Sequence, residues 1–232
     1  MLIEIWSDVV CPWCYIGKRR LEAALADFDH RDAVEIVWRS YQLDPTTPRG
    51  SGERVVDALA RKYGQSEDGV RAMMGQVQQV AAEVGLDYSG LAEGRVANTI
   101  DAHRLLHAAG DRRDALKEAL LDAYFVRGLD VEDHGVLVEL AAGVGIDAER
   151  AREVLAGDAY ADAVRDDIAQ AAAYGATGVP FFVIDRRLGI SGAQPTEVFS
   201  QALAQAWAER PTSPLTTVGG DAPGCEDGVC AT

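Results

Sequence analysis

Cys11-Pro12-Trp13-Cys14 lies between a short apolar run (Leu2, Ile3, Ile5, Trp6) and a stretch patterned as an amphipathic helix. No other feature constrains the fold as tightly, because a strand must deliver a dithiol to the first turn of a helix. Cys14, Leu21, Leu25 and Phe28 recur at helical spacing, while Lys18, Arg19, Glu22 and Asp27 fall largely on the other side. Pro12 suits the first turn, where a missing N–H costs nothing. The free N–H groups and the positive end of the helix dipole favour an anion on the Cys11 sulfur. The placement therefore predicts a Cys11 thiolate, with its pKa lowered from about 8.5 into a range of roughly 3.5 to 7.5. Cys14, one turn further in, is the expected buried partner that resolves a mixed disulfide.

Along the chain, residues 2–6 read as a buried strand and 12–28 as the helix. Val34, Ile36 and Trp38 alternate with Glu35, Val37 and Arg39, which predicts a second strand running to about Leu43. Together these form a βαβ unit. The turn-rich segment Asp44–Gly52 then breaks the pattern, and about 120 residues with helical signals follow. Val70, Met73, Val77, Val80 and Val84 form one stripe. Further helices are expected around 98–109, 112–127, 134–143, 148–156 and 158–174, with Asp147 as an N-cap and Gly110 and Gly157 as stops. Strand character returns at Val179–Asp185, turns through Arg186-Arg187 and continues at Leu188–Ile190. A last helix starts at Pro195, with Gln194 and Glu197 as a weak capping arrangement, and is expected to bury Val198, Phe199, Ala202, Leu203 and Trp207. Residues 211–232 are poor in apolar side chains and read as a flexible tail carrying Cys225 and Cys230.

A formal net charge of −15 argues against nonspecific nucleic-acid binding and against an anionic membrane surface. No run of 18 apolar residues is present, and the N-terminus lacks the pattern of a secretory leader, so a cytoplasmic location is expected. Four cysteines in two close pairs do not make a structural disulfide framework in a chain of 232 residues. Redox chemistry or metal binding remains. A zinc site built from Cys11, Cys14, Cys225 and Cys230 is the competing reading of the first pair; the Pro-Trp filling and the helix start favour redox, with no metal expected.

The order βαβ, helices, ββα, with a CxxC at the first strand-to-helix junction, is that of an α/β thioredoxin-like fold interrupted by a large all-helical insertion. Residues 1–45 and 176–210 form the expected thioredoxin-like domain and 46–175 the insertion. Cys11–Tyr15, Asn98-Thr99 with Ala102-His103-Arg104, Thr177–Pro180 and Ser191–Gln194 together resemble the FrnE-type branch of the DsbA family. That resemblance implies a thiol–disulfide oxidoreductase acting on protein or peptide substrates, with glutathione or a thioredoxin-type protein as a partner and no bound cofactor. It also implies that Val179-Pro180, whose local sequence alone favours a trans bond, is cis and faces the dithiol as a platform for an added substrate strand. Trp13 with Pro12 is expected at the mouth of the site. Some strongly oxidising DsbA proteins carry a histidine between the cysteines, and this chain does not.

A rival resemblance is to 2-hydroxychromene-2-carboxylate isomerases and kappa-class glutathione transferases, which share the architecture but usually place a serine where Cys11 stands. His103 and His107 are four apart on a predicted helix. Packing or surface roles are favoured over metal ligation, because Arg104 stands where a zinc-hydrolase helix would carry glutamate. Cys225 and Cys230 admit two readings, a tail staple or an auxiliary redox pair that exchanges with Cys11 and Cys14. Some FrnE-type members carry a comparable C-terminal pair.

Overall fold

The computed structural model describes residues 1–210 and the backbone of 225–226 and 229–230. Four strands form the main sheet in the order β2-β1-β3-β4: β1 (Leu2–Ser7), β2 (Glu35–Ser40), β3 (Phe181–Ile184) and β4 (Leu188–Ser191). β1 runs parallel to β2 and antiparallel to β3, and β4 closes a hairpin on β3. α1 (Pro12–Ala26) links β1 to β2, and α9 (Thr196–Ala208) follows β4. Between β2 and β3 come α2 (Val55–Tyr63), α3 (Glu67–Glu83), α4 (Ile100–Ala108), α5 (Arg113–Phe125), α6 (His134–Gly143), α7 (Ala148–Ala156) and α8 (Ala161–Ala173). The fold is thus thioredoxin-like with a helical insertion.

Strand alternation sorts the sheet's two faces. Ile3, Ile5, Phe182 and Ile190 meet Leu21 and Ala24 of α1 and Phe199 and Leu203 of α9. Trp6 and Val183, on the opposite face, meet Ala171 of α8. The fully buried Trp6 indole donates to the Asp167 carbonyl at 2.7 Å, which satisfies its one polar atom. The last helix of the insertion therefore covers half of the sheet. α1 lies between the sheet and the other helices: Leu21 and Ala24 face strands, while Tyr15 and Ile16 belong to the large helical cluster with Leu105, Leu116, Leu120 and Phe125.

Several local expectations change in three dimensions. β2 ends at Ser40, short of Leu43, because Leu43 turns its N–H to the Asp8 carboxylate. Lys18 is buried, its ammonium held by Glu22 and by Glu118 of α5. On α3, Met74 is buried and Met73 is 38% exposed, a slip of one position in the stripe. Gln194 donates to the Ser191 carbonyl, so Pro195 has no side-chain cap, and Val198 is exposed. Asp147 does cap α7, accepting from Arg150 N–H at 2.8 Å. No helix among the described residues is long and apolar enough to cross a membrane. The expected flexibility of 211–232 concerns mostly residues outside the described ones; of that stretch, β5 (Cys225–Glu226) pairs antiparallel with β6 (Val229–Cys230), with Cys225 opposite Cys230.

Candidate active site

β1 stops at Ser7, and Asp8-Val9-Val10 carries the chain to Cys11, which is the N-cap of α1 in extended conformation with Pro12 opening the first turn. Cys14 N–H donates to the Cys11 carbonyl at 3.0 Å, the first bond of the helix. Tyr88 donates its hydroxyl to the Pro12 carbonyl at 2.7 Å and stacks on Phe125, which ties this turn to the insertion. Trp13 is 40% exposed.

The chain brings its second sequence-predicted segment to the same place. The Val179–Pro180 bond is cis, and the Cys11 thiol lies 3.5 Å from the Val179 carbonyl oxygen. Gly17 permits the approach: a Cβ there would stand 3.0 Å from Pro180 Cγ and 3.2 Å from Phe182. Pro180 is held in turn by Gly192 N–H, which donates to its carbonyl at 2.8 Å.

The charge distribution differs from the one that the helix dipole alone predicts. Both cysteines are free thiols and buried, Cys11 at 3% exposure and Cys14 at 1%. Cys11 is pushed well above the ordinary thiol range because its proton is shared with Cys14 Sγ and because it is buried. Burial opposes ionisation of Cys14 too, yet the bond from Cys11, the charge of Lys117, Ser7 and the Asp8 backbone together bring it below that range. A negative charge that forms on the pair is drawn toward the inner sulfur by these surroundings. The Lys117 ammonium adds to this bias, behind the shared proton.

That ammonium and its neighbours form a layer the sequence reading did not identify. Asp8 is buried, and its Oδ1 accepts from Val9 N–H at 2.7 Å while Oδ2 accepts from Leu43 N–H. His103 Nε2 lies 3.2 Å from Asp8 Oδ1, and burial lowers the pKa of this imidazole against the pull of the carboxylate. Lys117, 1% exposed, donates to the Ser7 carbonyl at 3.2 Å. The signal for Lys117 is its register: it shares a stripe with the buried Leu120, Leu121 and Tyr124, where an apolar residue is the norm. His103 and His107 turn to different carboxylates, His107 lying 3.0 Å from Asp167, so neither shares a ligand set with the other. A cleft of about 510 Å³ borders Asp8 and Val10, lined also by Leu43, Pro48, Leu59 and Tyr124.

Residues 2–204 match the DSBA-like thioredoxin domain family. The structure of a probable DsbA oxidoreductase, SCO1869 from Streptomyces coelicolor, is 49% identical, with a TM-score of 0.88 over 100% of this chain and 99% of that one. The uncharacterized protein YwbO of Bacillus subtilis (strain 168) is 26% identical over 87% of this chain and 95% of its own length. The cytosolic disulfide reductase DsbM from Pseudomonas aeruginosa, solved with GSH, is similar in fold, with a TM-score of 0.61 at 19% identity over 90% of this chain and all of that one.

Proposed function

The chain belongs to the DSBA-like thioredoxin domain family and is an enzyme of the disulfide oxidoreductase type; from that premise we propose that it is a FrnE-type thiol–disulfide oxidoreductase whose Cys11 and Cys14 exchange disulfides with protein or peptide substrates. The observation that carries this reading is the convergence of two segments on one sulfur, the start of α1 and the Val179-Pro180 turn. Cys11 caps α1, shares its proton with Cys14, and faces the Val179 carbonyl 168 residues away in the chain.

In the reducing direction the shared proton moves to Cys14 as the Cys11 sulfur attacks a substrate disulfide. The substrate S–S bond breaks and one thiolate leaves. Cys14, losing its proton again, attacks the Cys11 sulfur of the mixed disulfide, expels the second substrate thiolate and closes the Cys11–Cys14 bond. Two electrons have passed to the substrate; the reverse sequence donates a disulfide. Val179 and Pro180 form the platform on which an extended substrate segment lies, the Val179 backbone supplying strand-like hydrogen bonds once Cys11 has turned to its target. Trp13, exposed beside Pro12, offers an apolar contact at the entrance. At 3% exposure Cys11 reacts through local opening of its surroundings.

Insulin reduction in the presence of a thiol donor tests the proposal. Cys11→Ser should abolish activity, and Cys14→Ser should accumulate a mixed disulfide that a reductant dissolves. A glutathione-dependent conjugation or isomerisation surviving in Cys11→Ser would overturn it in favour of the isomerase and transferase reading. The cytosolic location and glutathione of DsbM support a cytoplasmic enzyme with glutathione, or a thioredoxin-type protein, as its electron partner. The division into a thioredoxin-like domain at 1–45 and 176–210, an insertion at 46–175 and a tail carrying an auxiliary Cys225–Cys230 pair belongs to the same proposal. Unchanged reduction and reoxidation kinetics of Cys11 and Cys14 in a Cys225→Ser, Cys230→Ser variant would remove the tail from it.

A further inference from the structure

We propose that Arg20 of α1 is a positioning residue for disulfide exchange: it braces the Ser191–Gln194 segment and, through that segment, holds the Val179-Pro180 platform beside Cys11. The inference rests on the redox reading of Cys11 and on the platform role of Val179, and it assigns a task to a side chain that touches neither.

β4 is an edge strand, bonded to β3 alone, and its ladder ends at the pair Phe181 and Ser191. Beyond that pair the backbone leaves the sheet at Gly192, with a φ of +79° that glycine adopts without strain. Pro180 has no N–H, so its carbonyl is the one backbone group by which the neighbouring strand can grip it, and Gly192 N–H donates to that carbonyl at 2.8 Å. Alone, this bond at the end of an edge strand would fray. Arg20 supplies the second hold, its Nη1 donating to the Ala193 carbonyl at 2.5 Å. Among the described residues this is the one side-chain hydrogen bond that reaches Ser191–Gln194 from another element; the Gln194 amide bonds within the segment, to the Ser191 carbonyl. It is also the one hydrogen bond that the half-buried guanidinium makes among the described residues. One turn earlier on the same helix, Gly17 lies against both parts that the brace joins: a Cβ there would stand 3.0 Å from Pro180 Cγ and 3.5 Å from Ala193 Cβ.

The links form a closed ring. Arg20 binds Ala193, Gly192 binds Pro180, and the carbonyl of Val179 lies 3.5 Å from the thiol of Cys11, which caps the helix that carries Arg20. The ring begins and ends on α1, so releasing the Arg20 link lets the platform drift relative to the sulfur. A substrate that lays an extended segment along the Val179 backbone needs platform and sulfur in register. A small disulfide without a peptide backbone needs the sulfur alone.

The test compares two substrates on the full chain with a thiol donor: the disulfide-linked dimer of an uncharged cysteine peptide of about eight residues, and hydroxyethyl disulfide. Arg20→Met keeps the apolar stem and removes the donors. Its kcat/KM for the peptide, relative to that for hydroxyethyl disulfide, should fall at least about fivefold, mainly through KM. Arg20→Lys, which keeps a charged donor, should recover part of the loss. An unchanged ratio overturns the proposal, whether both rates fall or neither does. Amide hydrogen exchange supplies a readout that general destabilisation does not imitate: in Arg20→Met the Gly192 amide should exchange at least about tenfold faster while the β1 amides keep their rates. Equal acceleration everywhere, or none at Gly192, overturns the proposal as well. If Arg20→Met does not fold, the wild type decides, since its Gly192 amide should exchange at least about a hundredfold more slowly than in an unfolded chain, and an unprotected amide is fatal to the brace. A wild-type protein that reduces neither substrate would instead refute the proposed function, and the Gly192 exchange would still read the brace.

Discussion

Asp8→Asn separates the charge beneath the dithiol from its shape. The carboxylate is 1% exposed and meets three donors: Oδ1 accepts from Val9 N–H at 2.7 Å and faces His103 Nε2 at 3.2 Å, and Oδ2 accepts from Leu43 N–H at 2.8 Å. An amide has one acceptor oxygen and one NH2 group. With its oxygen toward Val9, the NH2 meets the Leu43 N–H; flipped, it meets the Val9 N–H. Either orientation strands a buried donor, at about 1–3 kcal/mol, and converts the surviving bonds from about 1.5–3 kcal/mol each to about 0.5–1.5. Relief from burying a charge offsets part of this, so we expect the variant to lose about 2–4 kcal/mol. Urea unfolding should show the loss as a lower midpoint at unchanged slope. Burial raises the Asp8 pKa, but His103, the Leu43 N–H and Lys117 more than compensate and hold it below the ordinary 3.8. A folded pKa below the unfolded one gives stability that is full above about pH 4 and is lost as pH falls through the folded value. The gap between wild type and variant should therefore narrow below about pH 4. A loss under about 1 kcal/mol, with the gap constant in acid, would refute an ionised, fully bonded Asp8.

Gly17→Ala should destabilise the fold by about 1–3 kcal/mol and slow disulfide exchange, because the new methyl meets the Pro180 ring against which Cys11 is positioned; thermal unfolding and insulin reduction check both. Tyr88→Phe should cost about 0.5–1.5 kcal/mol by removing the bond to the Pro12 carbonyl, read as a lower urea midpoint. An unchanged midpoint would mean that the hydroxyl does not anchor the cysteine turn.

What the sequence made legible follows from where its signals are local. A CxxC flanked by period-2 and period-3.6 patterns announces a strand-to-helix junction, and α6 and α7 emerge with the expected bounds because periodicity and the Asp147 cap coincide. Lys18 and Met74 were misplaced because a helical pattern assigns faces, whereas α1 is covered on two sides and the α3 stripe is one position wider than a single row. The position of α8 against Trp6 has no local signal at all; it depends on a carbonyl at Asp167 meeting an indole across the sheet. The ionisation of the cysteines was misjudged for the same reason. A helix dipole is visible in sequence, but the proton that Cys11 shares with Cys14 depends on how closely the folded side chains approach, and the lysine that adds to it lies about 100 residues downstream, in a stripe of leucines.

Strand β1 binds one neighbour close by in the chain and the other only after every helix of the insertion has been made. During synthesis, at about 5–20 residues per second, the cysteine turn would therefore leave the ribosome roughly 10–30 seconds ahead of Val179. Over that interval neither sulfur has its native cover, and any oxidant at hand can reach them. Nascent chains arrested before Val179 should accordingly alkylate at Cys11 much faster than the finished protein; equal rates would show that the N-terminal portion already shields its own thiols.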